Sequence, residues 1–422
     1  MVNLHSAQFV NKNIIHLKPS ATLAINERSN ALIQAGRKVY KLGFGQSPFP
    51  VPASVTQALR DNAHQKDYLP VKGLLPLRTA VAAYHQQKFG VDCTAEDILI
   101  GPGSKELLFL TQMIYQGTLL LPQPSWVSYE PQAQLANKSF HWLKTRPENG
   151  YMLEAAALED YCQQHLEEPA ILILNYPSNP TGSSFEAHQL EELATVARQH
   201  QLLILSDEIY GDAHHTGQHE SIAKYYPEGT IISSGLSKWC GAGGWRLGTF
   251  VFPKELNWLL EKMAIAASET FTTTSAPIQY AAISAYSGGP EIENYLNNSR
   301  AVLKRVALAV TRILAANRIK TPSPKGGFYL MPDFSHYREG LGQKGIHTIN
   351  QLCEALLEET GVALLPLSAF GMPDDFLGAR LSYVDFDGAR ALQEIEENPN
   401  ATAELLAPKV MEGIQKMVNW FK

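Results

Sequence analysis

The chain has 422 residues, of which 45% are hydrophobic and 18% are charged, and its formal net charge at pH 7 is −6. This length suits two domains or one large α/β domain with an appendage, and the composition is typical of a soluble globular protein. The negative charge, without a lysine- or arginine-rich run, argues against a nucleic-acid-binding surface. No apolar stretch is long enough to cross a membrane.

Cysteine usage indicates a reducing environment. The four cysteines, Cys93, Cys162, Cys240 and Cys353, lie far apart and show no CxxC spacing. We therefore expect free thiols, with no disulfide framework and no metal site. The N-terminus lacks the apolar segment of a secretion signal, so we expect a cytoplasmic protein.

Short apolar runs alternate with longer amphipathic stretches, a pattern that predicts a mainly parallel sheet covered by helices. The predicted strands are Ile98–Ile100, Leu119–Leu121, Ile171–Leu174, Leu202–Leu205, Thr230–Ile232 and Thr249–Phe252. Helical stretches such as Lys105–Tyr115 and Ala187–His200 lie between them.

The pattern changes near residue 290. A long amphipathic helix is predicted from Glu291 to about Leu314, followed by a strand at Gly326–Met331 and mixed α+β sequence. We therefore expect a large domain over residues 51–290 and a smaller α+β domain built from both chain ends, residues 1–50 and 291–422.

Polar or glycine- and proline-rich segments follow five of the predicted strands. These segments are Gly101–Ser104, Pro122–Trp126, Asn175–Gly182, Ser206–Tyr210 and Ser233–Gly248. Open α/β sheets bind ligands outside the carboxyl ends of their strands, so all five segments are expected to meet at one crevice.

A lysine and an arginine stand out in the last of these segments. Lys238 follows a short apolar strand, and Arg246 lies eight residues later in a glycine-rich stretch. Such a pair suggests a Schiff-base nucleophile beside an anion clamp. Taken alone, the two residues fit equally well a flexible loop with solvated cations.

The other segments supply groups that suit an aromatic, phosphorylated ligand. Asp207, at a strand end, could pair with a protonated ring nitrogen or cap a helix, and Tyr210 could donate to a phenolic oxygen or pack as an aromatic. The turn Asn175–Gly182 places amides where they could reach a phenolate or a carboxylate. Free N–H groups after Gly103, with the Ser104 hydroxyl, could form a phosphate cup.

With these residues gathered, the chain resembles the fold-type I pyridoxal-phosphate (PLP) enzymes, specifically the class I/II aminotransferases that include aspartate aminotransferase. The resemblance runs from about Leu42 to Ser382 and is strongest at Asn175–Gly182, Asp207–Tyr210 and Ser237–Gly248. It implies an α/β fold with a mainly parallel seven-stranded sheet sandwiched by helices, and pyridoxal 5′-phosphate as the cofactor.

The resemblance also implies roles for individual residues. Lys238 is the Schiff-base lysine and proton shuttle, Asp207 pairs with the pyridine nitrogen, and Tyr210 and Asn179 bind the phenolic oxygen. Trp126 stacks on the ring. The residues implied to hold the phosphate are Gly103, Ser104, Lys105, Ser237 and Arg246.

Substrate and subunit contacts follow from the same resemblance. Arg380 binds the substrate α-carboxylate with help from Asn179, a role that the sequence alone does not separate from an internal salt bridge. Gly45 lines the substrate pocket. Tyr68 reaches the phosphate of a neighbouring subunit, which implies a homodimer with shared active sites.

The expected reaction moves an amino group from an L-amino acid to a 2-oxo acid by a ping-pong mechanism. The alternative on the same scaffold is a β-eliminating C–S lyase or an enzyme like aminocyclopropane-carboxylate synthase. The sequence does not determine which side chain the substrate carries, because neither a second cation nor an apolar wall of the pocket can be identified from it. The candidate cations are Lys41, Arg78 and Lys105, and the candidate aromatic residues are Phe44, Phe49, Tyr129 and Phe328.

Overall fold

The computed structural model describes residues 10–15, 17, 19, 21–165 and 168–422. The remaining residues, including the first nine of the predicted small domain, lie outside the described residues. In the described part, no helix combines the length and apolar character needed to span a membrane.

The described strands form two sheets. The larger has seven strands in the order β1-β7-β6-β5-β4-β2-β3, and the smaller has three in the order β8-β10-β9. The strands are β1 (Ile98–Gly101), β2 (Thr118–Gln123), β3 (Phe140–Lys144), β4 (Ala170–Asn175), β5 (Leu203–Asp207), β6 (Thr230–Gly235), β7 (Gly248–Val251), β8 (Tyr329–Leu330), β9 (Leu365–Pro366) and β10 (Ala379–Ser382).

The larger sheet is mainly parallel, as the resemblance implied. Only β7 runs antiparallel to its neighbours, β1 and β6. The fold is therefore α/β, with a smaller α+β part in which the second sheet lies.

Helices surround both sheets. They are α1 (Ala21–Gln34), α2 (Ala53–Asn62), α3 (Leu75–Phe89), α4 (Ser104–Ile114), α5 (Tyr129–Leu135), α6 (Ala155–His165), α7 (Ala187–Gln199), α8 (Asn257–Glu269), α9 (Ala276–Ser287), α10 (Pro290–Ala316), α11 (Arg338–Gln343), α12 (Ile349–Thr360), α13 (Gly388–Glu397), α14 (Ala403–Leu406) and α15 (Pro408–Trp420). The long helix α10 packs against α13, α14 and α15.

The unbroken apolar run of β4 explains why the larger sheet is covered on both faces. Successive side chains of a strand point to opposite faces. Ile171 and Ile173 accordingly belong to one hydrophobic cluster, and Leu172 and Leu174 belong to another. A strand buried on both faces needs apolar residues at every position, which is the pattern that this segment shows.

Two features differ from the sequence-based expectations. Strand β3 was not predicted, because it is an edge strand in which only Leu143 is fully buried and which therefore carries no apolar run. The strand expected over Gly326–Met331 contains only Tyr329 and Leu330.

The topology brings the segments that were predicted to bind a ligand to one edge of the sheet. Strands β2, β4, β5 and β6 are parallel, so the segments that follow them leave the sheet on the same side. Strand β1 reaches this edge as well, since Gly101 pairs with Gly248 and Gly248 pairs with Gly235 at the end of β6. The predicted convergence of these segments is thereby found in the fold.

Candidate active site

The carboxyl edge of the larger sheet opens into a cavity of about 460 Å³. Loops after several strands contribute to its walls, and the smaller sheet closes it through β8 and β10. Most of the site residues expected from the sequence line it: Gly45, Ser104, Lys105, Trp126, Asn179, Asp207, Tyr210, Ser237, Lys238, Arg246 and Arg380.

Two expected site residues do not line the cavity. Gly103 lies behind it as the N-cap of α4, with φ of 91°, and a Cβ added there would overlap the Arg246 guanidinium. Glycine is thus needed both for the backbone conformation and for the approach of Arg246. Tyr68 is 88% exposed and stands away from the cavity.

One end of the cavity is built to hold an anion. The N-terminus of α4, the Ser104 and Ser237 side chains and Arg246 all face it. Arg246 has a left-handed backbone (φ 54°), and its guanidinium donates to the carbonyl oxygens of Gly243 (3.0 Å) and Pro102 (3.3 Å). A helix N-terminus beside a fixed guanidinium is a favourable site for a phosphate group.

Lys105 adds a further cation near this end. Its ammonium nitrogen lies 5.0 Å from the centroid of the Trp126 ring. Burial lowers the pKa of Lys105, and the nearby charges of Arg246 and Lys238 lower it further. An anion bound among these three side chains would relieve their mutual repulsion.

Asp207, at the end of β5, places a buried carboxylate at the cavity. Its Oδ2 accepts a hydrogen bond from the Tyr129 hydroxyl at 2.6 Å, and the Ser233 hydroxyl lies 3.5 Å from Oδ1. Burial raises the pKa of Asp207 to about 6, although these hydrogen bonds and the charge of Lys238 act in the opposite direction. Asp207 forms no ion pair with the described residues, and a protonated ring nitrogen would supply an opposite charge in direct contact with it.

Lys238 follows β6 and reaches across the cavity. Its Nζ donates to the carbonyl oxygen of Gly45 at 2.9 Å and lies 5.5 Å from the centroid of the Tyr210 ring. The next two residues, Trp239 and Cys240, are buried in the core and anchor the loop. The lysine therefore projects from a fixed backbone, whereas a solvated loop would leave it mobile.

Arg380 is buried in β10 with neutral partners. Its Nη1 donates to Asn179 Oδ1 (3.2 Å), and its Nη2 donates to the Gly43 carbonyl (2.7 Å). Its Nε is buried without a hydrogen-bond partner among the described residues, and no ion pair of Arg380 occurs among them either. Burial lowers its pKa. The internal salt bridge left open by the sequence is absent from this part of the chain, and the guanidinium can receive a carboxylate.

Several residues considered from the sequence have other contacts. Asn175 lines the cavity, but its side chain donates to the Asp207 carbonyl and accepts from the Asn179 amide, so it fixes the loop. The Lys41 ammonium donates to Asn30, and Arg78 donates to the carbonyls of Gly73 and Ala95, both away from the cavity.

Of the four aromatic candidates, only Phe44 lines the cavity. Phe49 and Phe328 are core residues, and Tyr129 is fully buried beneath Asp207. The sequence pattern did not reveal this, because aromatic residues beside a ligand and in a core look alike in a single sequence.

Tyr329 is the main residue that sequence reasoning missed. It lines the cavity from β8, and its hydroxyl lies 2.8 Å from the Tyr210 hydroxyl. It sits in an apolar run, which indicated only a buried strand. Thr22, Leu23, Gln46 and Ser128 also reach the cavity without any sequence signal.

The donor set fits pyridoxal 5′-phosphate. An anion cup and a buried carboxylate lie at the same cavity as Lys238, and the unpartnered Nε of Arg380 suits the carboxylate of an amino acid. Together, the α/β fold and this site define a chain built for amino-acid chemistry on a phosphorylated pyridine aldehyde.

Comparison with known proteins supports this class. The family model described as aminotransferase class I and II matches residues 37–384. Aspartate aminotransferase of Geobacillus stearothermophilus is 33% identical over 88% of this chain and 93% of its own length. Aspartate/prephenate aminotransferase of Cereibacter sphaeroides is 30% identical over 90% of this chain and 95% of its own length.

A solved structure has the same architecture. Aspartate aminotransferase from Thermus thermophilus with maleate is 26% identical and has a TM-score of 0.83, with 96% of this chain and 99% of that chain covered. The chain belongs to the class I and II aminotransferase family. It is accordingly a PLP-dependent transferase that moves amino groups.

Gly103 provides a test of the anion cup. Gly103→Ala should weaken PLP binding by about 10-fold or more, because the methyl group displaces Arg246 and strains a backbone at positive φ. The dissociation constant can be measured by titrating cofactor-free protein with PLP and following absorbance. Gly340→Ala is the matched control, since a Cβ there meets nothing within 4 Å and the residue does not line the cavity. Equal affinities for the two variants would contradict this account of the cup.

Asp207 should make the cofactor-free protein less stable as pH rises. Its pKa is about 6 in the fold against an ordinary value of 3.8, so the folded chain keeps a proton that the unfolded chain releases between these values. Stability is therefore lost as pH rises to about 6, and the full cost of up to about 3 kcal/mol applies above it.

Asp207→Asn removes this cost because the amide stays neutral. We expect the cofactor-free variant to be more stable than the cofactor-free wild type at pH 8, with a smaller difference at pH 5. Denaturant unfolding at the two pH values measures the effect, with the exposed Asp160→Asn as the control. A stability difference that does not change with pH would show that the Asp207 carboxyl is not held at a raised pKa.

Proposed function

We propose that Lys238 is the residue that carries the cofactor and moves the proton of the reaction. The supporting observation is that Lys238, Asp207 and Arg380 line one cavity. When bound, PLP supplies an aldehyde that takes up the amino group and a ring that accepts the electrons of the substrate Cα–H bond. With the cofactor in place, Lys238 Nζ would take the proton from the substrate Cα and return it to C4′ of the cofactor.

The next proposed contacts are those to the phosphate group and to the ring nitrogen of the cofactor. Gly103, Ser104, Lys105, Ser237 and Arg246 hold the phosphate. Asp207 pairs with the ring nitrogen and keeps it protonated, which strengthens the electron sink.

The ring itself is held by three further residues. Tyr210 and Asn179 donate to the phenolic oxygen, and Trp126 stacks on the ring face. All three line the cavity.

Arg380 and Asn179 bind the substrate α-carboxylate, beside Gly45 in the pocket wall. A bidentate contact fixes the amino acid so that the Cα–H bond stands perpendicular to the ring, and this orientation selects proton transfer over loss of the carboxylate. The two residues come from different parts of the fold, Arg380 from β10 and Asn179 from the loop after β4. Their mutual hydrogen bond holds the receptor together before substrate arrives.

We further propose a homodimer with shared sites. The exposure of Tyr68 supports this, because a tyrosine that is 88% exposed can reach the phosphate bound by a neighbouring subunit.

We assign residues 51–290 to the large domain, and residues 1–50 and 291–422 to the small domain. The separate sheets support this division. The four buried free thiols support a cytoplasmic location.

The preferred substrate is proposed to carry an acidic side chain. Among the described residues that line the cavity there are four cations, Lys105, Lys238, Arg246 and Arg380, and one carboxylate, Asp207. Phosphate and one α-carboxylate leave cationic capacity for a second carboxylate. Relatives described as aspartate aminotransferases, and a related structure with the dicarboxylate maleate, agree with this preference.

Lys238→Ala tests the central assignment. We expect amino transfer to fall by at least about 10²–10⁴-fold, because the variant loses its positioned proton carrier. Borohydride treatment followed by peptide mass analysis should find the reduced cofactor on Lys238 in the wild type and on no residue in the variant. Lys224→Ala, at an exposed salt bridge, is the control. If Lys238→Ala retained full transamination, the assignment would fail.

Product analysis with and without an acceptor oxo acid separates amino transfer from the alternative reaction, β-elimination. Transfer produces a 2-oxo acid only in step with an acceptor oxo acid, whereas β-elimination releases pyruvate and ammonia without one. Pyruvate and ammonia formed by the wild type from cysteine or its thioethers in the absence of an acceptor would favour the lyase.

We propose that the Lys105 ammonium, besides contacting the phosphate, also meets the side-chain carboxylate of the substrate, and Lys105→Gln tests this. We expect kcat/KM for L-aspartate relative to L-alanine to fall about 10-fold to 100-fold, because a charged hydrogen bond worth about 1.5–3 kcal/mol is lost. The half-reactions can be followed by the change in cofactor absorbance, with Lys41→Gln as a control outside the cavity. Weaker PLP binding with an unchanged aspartate-to-alanine ratio would assign Lys105 to the phosphate alone.

A further inference from the structure

Tyr329 occupies a position that the roles above leave unused. It is 2% exposed and lies in β8, where it pairs with Ser382 of β10. Residues two apart in a strand share a face, so Tyr329 lies on the same face as Arg380. The Arg380 guanidinium carbon is 4.6 Å from the centroid of the Tyr329 ring. The ring therefore supports the arginine that receives the substrate.

The hydroxyl of Tyr329 has a different partner. It lies 2.8 Å from the hydroxyl of Tyr210, which is buried as well. A Cβ at Gly45 would overlap this hydroxyl, so the glycine in the pocket wall leaves room for it. Ring and hydroxyl thus touch two different parts of the site, Arg380 and Tyr210.

The direction of the Tyr210–Tyr329 hydrogen bond follows from counting protons. Each hydroxyl has one proton to donate. If Tyr210 donates its proton to the phenolic oxygen of the cofactor, as in the proposed function, then only Tyr329 can donate in the bond between the two tyrosines. Successive hydrogen bonds polarise one another, so a donor behind Tyr210 makes Tyr210 a stronger donor.

We propose that Tyr329 is a positioning residue that orients the Tyr210 hydroxyl and strengthens its hydrogen bond to the cofactor. This inference rests on the proposed role of Tyr210. A hydrogen bond to the phenolic oxygen stabilises its negative charge and so favours loss of the proton from the Lys238–cofactor linkage. Tyr329 would thereby lower the pH at which that linkage loses its proton, and it would do so without touching the linkage.

Tyr329→Phe separates the hydroxyl from the ring. In the holoenzyme, the midpoint of the visible absorbance titration of the bound cofactor should move to higher pH by about 0.4 to 1.1 pH units, the equivalent of a hydrogen bond worth about 0.5–1.5 kcal/mol. We expect kcat to fall several-fold. KM for the amino acid should stay within about 2-fold, because the ring beneath Arg380 remains.

Tyr383→Phe is the matched control. Its hydroxyl is also buried, and it donates to the Gly327 carbonyl at 3.0 Å, but it does not line the cavity. This variant should titrate like the wild type. A Tyr329→Phe titration that coincides with the wild type, or an equal change in Tyr383→Phe, would overturn the inference.

Tyr210→Phe distinguishes this inference from the proposed function. If Tyr210 acts as proposed, its loss should move the titration further than the loss of the Tyr329 hydroxyl, and adding Tyr329→Phe to Tyr210→Phe should have no further effect. Equal, additive changes would mean that Tyr329 acts independently of Tyr210. No change in Tyr210→Phe would refute the role of Tyr210 itself.

Discussion

The site depends on two buried charges, neither of which forms an ion pair within the described part of the chain. Asp207 and Arg380 are both nearly inaccessible to solvent, and their hydrogen-bond partners in the described residues are neutral. A buried, unpaired charge costs free energy that a well-packed core would avoid. Here each charge faces the cavity, so a ligand with a protonated ring nitrogen and a carboxylate provides what both of them lack.

A neighbouring residue shows that this arrangement is specific to the cavity. Glu208 follows Asp207 directly and is buried to the same degree. Burial alone raises the pKa of Glu208, but His219 and the hydroxyls of Ser221 and Ser206 outweigh it and lower the pKa on balance. Glu208 therefore has its partners within the protein and ties loops together. Among the side chains of the described residues, only the Tyr129 and Ser233 hydroxyls donate hydrogen bonds to the Asp207 carboxylate, and its pKa is raised by burial. Of these two adjacent carboxylates, Glu208 is held by partners within the protein, and Asp207 is the one that we propose to bind the ligand.

Much of the fold and site could be predicted from the sequence because strongly patterned segments carry them. Strands β4 and β5 are apolar runs, and the polar residues that follow them fall at the ligand-binding edge by the rule for parallel sheets. Edge strand β3 was not predicted, since most of its residues are partly or fully exposed and its sequence therefore contains no apolar run. Tyr329 was not identified from the sequence, because its contacts depend on the pairing register between β8 and β10. These two strands lie about 50 residues apart in the chain. The contact that Tyr129 makes with Asp207 likewise depends on tertiary packing.

The burial of Cys240 has a chemical consequence for Lys238, which lies two positions earlier in the chain. A thiolate close to the cofactor aldehyde would be a competing nucleophile, since thiolates add readily to electrophilic carbon. Burial raises the pKa of Cys240 to about 12, so at neutral pH its sulfur keeps its proton. The sulfur is also fully enclosed by the core. Lys238 and Cys240 are thus two nucleophilic side chains within one short loop, and burial keeps the sulfur protonated, so that the proposed capture of the aldehyde is left to the amine.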